Sequence, residues 1–201
     1  MVLGLYAFAG AAFLVATRIA GWYTVAPESR LLLMPFVALF GGVVQFLAAM
    51  WAHRERDPVG TAMFGTWSAF FAGYGILTYL LPAGRTTDTL AFPELGYWYV
   101  VTAVVSWMGM IAVIGRNHVL SLWLASAAIG ASLAAVGLIG GYPFVTLISA
   151  WAFIVSAVFA WYGGTALLVR AVRGRGLPMG DTRARRASVT VTEPEPLRRA
   201  G

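Results

Sequence analysis

The sequence predicts an all-α membrane protein, a bundle of six transmembrane helices with both termini in the cytoplasm, on three observations. Apolar residues make up 60% of the chain and charged residues 11%, against roughly a quarter charged in soluble domains. The apolar residues gather into six stretches, each near the ~20 residues that an α-helix needs to cross a bilayer. Polar and helix-breaking residues fall between those stretches rather than inside them.

The first stretch, about residues 2–25, ends at Pro27-Glu28-Ser29-Arg30. It has no basic leader and is too long for the apolar region of a signal peptide, so it reads as a membrane helix. The second, about 31–52, stops at His53-Arg54-Glu55-Arg56-Asp57-Pro58. The third, about 59–82, leads into the longest loop, residues 83–94, with Gly84, Arg85, Asp88 and Pro93. The fourth, about 95–115, turns at Arg116-Asn117-His118, and the fifth, about 118–139, at Gly140-Gly141-Tyr142-Pro143. The sixth covers about 143–170. Such short connections make antiparallel neighbours, hence one transmembrane domain over residues 1–172. Residues 173–201 change character to Arg, Ser, Thr, Glu and Pro, a composition that predicts a largely disordered basic tail.

Arginine sets the orientation. Arg54, Arg56, Arg116, Arg170, Arg173 and Arg175 fall on one side of an even-numbered bundle, and only Arg30 and Arg85 on the other. The positive-inside bias makes the richer side cytoplasmic. The tail arginines suit anionic lipid headgroups. All 14 basic residues are arginine, and the net charge of +6 gives no reason to expect nucleic acid as a partner.

The absence of cysteine excludes disulfides and thiolate sites. No Asp, Glu or His lies well inside a span, so no carboxylate proton relay, hydrolytic site or cofactor site is visible, and the residues point away from an enzyme. Arg18 is the sole charge within a span. It either snorkels to the outer interface or attracts anions to an outer vestibule. Small residues recur along the spans, with Ser126, Gly130 and Ala134 in one row that lets helices approach closely. Gln45 is too polar to face lipid, and with the hydroxyls of Thr66, Ser68, Ser126 and Tyr162 it is a candidate for lining a polar path; Ser106 and Ser156 belong to the same set of weakly polar residues. Hydroxyls within spans mostly bond to carbonyls of their own helix, and single aromatics are as readily packing residues.

Leu3-Gly4-Leu5-Tyr6-Ala7-Phe8 resembles the signature Asn-Pro-Ala-Pro-Leu-Gly-Leu followed by Phe in the acetate uptake transporter family, whose bacterial type is the succinate-acetate permease. Gly21-Trp22-Tyr23, Gly41-Gly42 through Gln45 to Ala48, Gly60, Phe64, Gly96, Trp151, Ala160 with Tyr162, and Leu177-Pro178-Met179-Gly180 continue the resemblance over about residues 3–180. It implies a six-helix protomer in a homohexamer, with a path in each protomer for acetate and other small carboxylates, coupled to protons or channel-like, in a bacterial cytoplasmic membrane. It also implies an apolar constriction of Phe, Tyr and Leu from the first, third and fifth helices, positions occupied here by Phe8, Trp67 and Ala127. Trp67 keeps one donor, and Ala127 is expected to leave space opposite it. The chain departs from the pattern at its start, Met1-Val2, and at Ile19 and Ala52, where the family carries polar residues. A channel for a neutral amide such as urea and a non-transporting scaffold are the alternatives.

Overall fold

The computed structural model describes residues 1–23, 27–80 and 92–180, with residues 27–31 described by their backbone alone. The ends of the first and third predicted stretches, most of the 83–94 loop and the tail from residue 181 lie outside the described residues. The described chain is helical and forms six rods. The first is α1 (Val2–Ile19). The second is continuous but changes its winding: α2 (Pro27–Phe36), a π-helical segment (Val37–Val44) and α3 (Gln45–Arg54). The others are α4 (Pro58–Leu80), α5 (Pro93–Val113), α6 (His118–Ile139) and α7 (Pro143–Arg173).

Five rods are long and apolar enough to cross a membrane. The exception is α4, which has the length, 23 residues, but is diluted by Gly, Thr, Ser, Trp and Tyr. One face of it meets protein instead of lipid: Gly60, Trp67, Ser68, Tyr74 and Thr78 are all buried.

The rod ends follow local chemistry. Pro58, Pro93 and Pro143 open their helices at the first position, where a missing N–H costs nothing. The first rod stops at Ile19, six residues short of the expected end. Gly21 adopts φ +71°, Trp22 N–H bonds to Thr17 C=O at 3.1 Å and Gly21 N–H to Arg18 C=O at 3.1 Å. This is a Schellman stop, and it needs a residue that tolerates positive φ.

Two helix starts are built alike, sixty residues apart. Asp57 Oδ1 accepts the Gly60 N–H at 2.9 Å, and Asn117 Oδ1 accepts the Leu120 N–H at 3.0 Å. Thr61 Oγ1 donates to Asp57 C=O and Ser121 Oγ to Asn117 C=O. From 63 to 75 and from 123 to 135 the order of buried and exposed residues is the same, and residues 4–16 of α1 follow it closely. On that register Phe8, Trp67 and Ala127 are equivalent positions of three helices that start at one end of the bundle.

The π-helical segment lies where backbones come closest. A Cβ on Gly41 would collide with Ala11 and Phe71, and one on Gly42 would come within 2.8 Å of Ala72 Cβ. Past α7, Gly174 at φ +67° ends the helix and the chain folds back. Met179 is buried against Val119 and Ala166, Met179 C=O accepts the Val119 N–H at 3.3 Å, and Tyr162 Oη donates to Pro178 C=O at 2.8 Å. The strap 177–180 thus satisfies a free donor in the first turn of α6.

Candidate functional site

Apolar side chains from α1, α4, α6 and α7 meet in the buried core in a cluster dominated by aromatic rings. Phe8 and Trp67 touch edge to face with centroids 5.2 Å apart. Trp123 of α6 packs on Phe8 at 5.4 Å and stacks on Phe64 at 5.9 Å. Trp67 also meets Phe70, Phe71 and Phe153 at 5.4, 5.5 and 5.7 Å, and Phe71 touches Phe8 as well at 5.9 Å. Beyond them Tyr99 of α5 lies 4.8 Å from Phe70 and 5.9 Å from Phe153. Phe8, Trp67 and Ala127 all belong to this core and are at most 1% exposed.

The indole of Trp67 is held in place. Its Nε1–H donates to Ser106 Oγ of α5 at 3.0 Å, a buried bond between two helices. Beside the ring, Ala12, Val15, Phe70, Phe71, Tyr99 and Phe153 complete a void of about 10 Å³, at the lower limit for a single water. The ring cluster is closed in this conformation.

The polar candidates fall in different places. Gln45 is fully buried, and neither Nε2 nor Oε1 has a hydrogen-bond partner among the described residues. Ser68 is buried and donates to Gly65 C=O of its own helix. Ser126 does the same with Leu122 and Trp123 carbonyls. Thr66 is off the axis, in an apolar groove of about 450 Å³ between α4 and α5. Tyr162 is 37% exposed and serves the strap through Pro178. Arg18 fits neither expectation. It is only 4% exposed, so it does not snorkel outward or line an open vestibule. The early stop of α1 puts it in the last turn, beneath the folded-back Trp22-Tyr23, with its charge close enough to act on the Tyr23 and Tyr74 hydroxyls. Burial lifts the Tyr23 phenol above its ordinary value, against lowering pulls from Thr17 and Arg18.

Trp123 and Tyr99 are residues of this cluster that residue type alone does not single out, and the weakly polar Ser106 gains its place only as the partner of Trp67. For Trp123 the sixty-residue repeat is the signal, since it stands four residues before Ala127 as Met63 does before Trp67.

Residues 1–173 match the model of the GPR1/FUN34/yaaH family. The chain belongs to this family. Another protein like this GPR1/FUN34/yaaH member is an uncharacterized protein of Methanothermobacter thermautotrophicus, 25% identical over 186 residues, or 87% of each chain. Among solved structures the fold is shared with the bacterial acetate channel SatP, at a TM-score of 0.78 and 20% identity, over 89% of this chain and 97% of that one. The likeness establishes the fold. The family membership makes this a multi-pass membrane protein of a transport family, in keeping with its apolar helices.

Proposed function

We propose that the protein conducts acetate and related small carboxylates, one path per protomer, past a neck formed by Phe8, Trp67 and Ala127. The observation that carries this reading is the buried Phe8–Trp67 contact in the bundle core in a chain that shares its fold with an acetate channel. The only donor of the Trp67 ring is engaged by Ser106, so the neck offers an ion nothing to replace its water.

Charge decides the species that passes. Removing a carboxylate from water into such surroundings is expensive. Acetic acid has a pKa near that of a glutamate side chain, about 4.3, so roughly one molecule in 500 is neutral at pH 7. The neutral acid needs only an apolar neck and a few hydrogen-bonding groups beside it. Proton coupling then arises from protonation of the substrate rather than of a side chain. Gln45 supports the reading as an unpaired amide inside the bundle, and Ser68 as a hydroxyl one residue from Trp67. The arginines at the ends of α3, α5 and α7 favour cytoplasmic termini in a bacterial cytoplasmic membrane, and the family resemblance favours a homohexamer.

Uptake of labelled acetate into proteoliposomes, above that of protein-free vesicles, tests the substrate. Inhibition by propionate and succinate but not by urea is expected. Urea uptake without acetate uptake would replace this reading with a neutral-amide channel.

A further inference from the structure

Two polar atoms beside the neck have no partner among the described residues: Tyr99 Oη and Trp123 Nε1. Both side chains are 1% exposed. Buried hydroxyls and indole N–H groups are normally paired, and orphans of this kind mark a place for water or a ligand. The contrast with their neighbours is sharp, since the Trp67 indole in the same cluster has Ser106, and the half-buried Trp107 indole has Ser132.

Their positions add meaning. Ring contacts run Tyr99 to Phe70 and Phe153, then Trp67, Phe8 and Trp123. Tyr99 is thus joined to the Trp67 member of the Phe8–Trp67 pair through Phe70 and Phe153, and Trp123 to the Phe8 member directly. By residue count at 1.5 Å per residue, Trp123 lies about 8 Å and Tyr99 about 21 Å from the end at which α1, α4 and α6 begin. Tyr99 also borders the void beside Trp67.

We propose that Tyr99 and Trp123 are two hydrogen-bonding stations that receive the neutral carboxylic acid before and after the neck. This rests on the carboxylate reading above and adds the residues that hold the substrate. Tyr99 Oη both donates and accepts, so it can take the acid's O–H or its C=O. Trp123 Nε1 only donates, so it takes the C=O. Neither is charged, and neither offers an anion the several donors it has in water. The stations therefore select the protonated form, and the short aromatic gap between them passes one small molecule at a time.

The test uses Tyr99→Phe and Trp123→Phe in the full chain, with two readouts: stabilisation of the detergent-solubilised protein by acetate at pH 5, and acetate flux in proteoliposomes. Each variant should weaken acetate stabilisation and raise the half-saturating concentration about three- to tenfold, the effect of one lost hydrogen bond. The melting temperature of Tyr99→Phe without ligand should stay level or rise, because an unpaired polar atom has been removed with the ring kept; that of Trp123→Phe should fall, because the smaller ring leaves a cavity beside Phe8 and Phe64, so for it the acetate response alone is decisive. Unchanged half-saturation and unchanged stabilisation in both variants would overturn the stations while leaving the transport reading intact. A fall in the ligand-free melting temperature of Tyr99→Phe, with the acetate response unaltered in both variants, would assign the Tyr99 hydroxyl a structural role and overturn the proposal. A wild-type protein that neither binds nor carries acetate would remove the carboxylate reading and the stations with it.

Discussion

Among the contacts that hold Trp67 in the ring cluster, the edge-to-face contact with Phe8 and the hydrogen bond to Ser106 are each separately removable. Phe8→Ala and Trp67→Ala should each raise flux several-fold and admit longer acids such as butyrate; size selectivity unchanged in both would contradict the neck assignment. Ser106→Ala leaves a buried indole N–H unpaired, which costs about 1–3 kcal/mol, and frees the ring to turn. A lower melting temperature together with faster acetate flux is expected from it. Phe8 and Trp67 were legible because their register pointed to them. Ser106 as partner was not, because most hydroxyls in these helices do bond to their own backbone, as Thr17, Ser68, Thr78 and Ser149 do. Arg18 was misread because its environment depends on where the helix stops, and that is set by Gly21 rather than by hydropathy.

At the scale of elements, the second rod and the C-terminal strap carry features that a hydropathy pattern does not encode. An uninterrupted apolar run over 37–44 is compatible with either winding, and only the close approach of Gly41 to Ala11 and Phe71, and of Gly42 to Ala72, exposes the wider π-helical turn. π-helical turns recur at functional sites, and here the segment delivers Gln45 to the interior. Gly41→Ala should destabilise the protein by about 1–3 kcal/mol through overpacking, read as a lower melting temperature in detergent. The strap closes α6 at its first turn, one helical turn from Trp123. Met179→Ala should therefore loosen the start of α6, with faster hydrogen exchange at Val119 and unchanged exchange in the middle of α6.

For the whole molecule, the bilayer makes the architecture readable, because backbone groups in lipid must be satisfied within helices and spans of fixed length follow. That is why six rods could be placed from apolar stretches alone. The rod that falls short of the hydropathy rule, α4, is the one that contributes Trp67, and its Trp67, Ser68 and Thr78 lie on the face it buries against protein. Of the ring cluster, the residues pointed only to separate positions, Phe8, Trp67 and Ala127. Its closure depends on rings from five elements meeting at 5–6 Å, which spacing along one chain does not reveal. The two histidines, His53 and His118, are both exposed, away from the neck. A variant lacking both should keep the full pH dependence of flux, measured between pH 6 and pH 8.

The central claim, that the neutral acid is the species that crosses, is tested most directly by initial rates of acetate uptake at pH 6, 7 and 8 over a range of total acetate. The rates, corrected for protein-free vesicles, should fall on one curve when plotted against the concentration of undissociated acid. Rates that instead follow the acetate anion and are the same at all three pH values would contradict it.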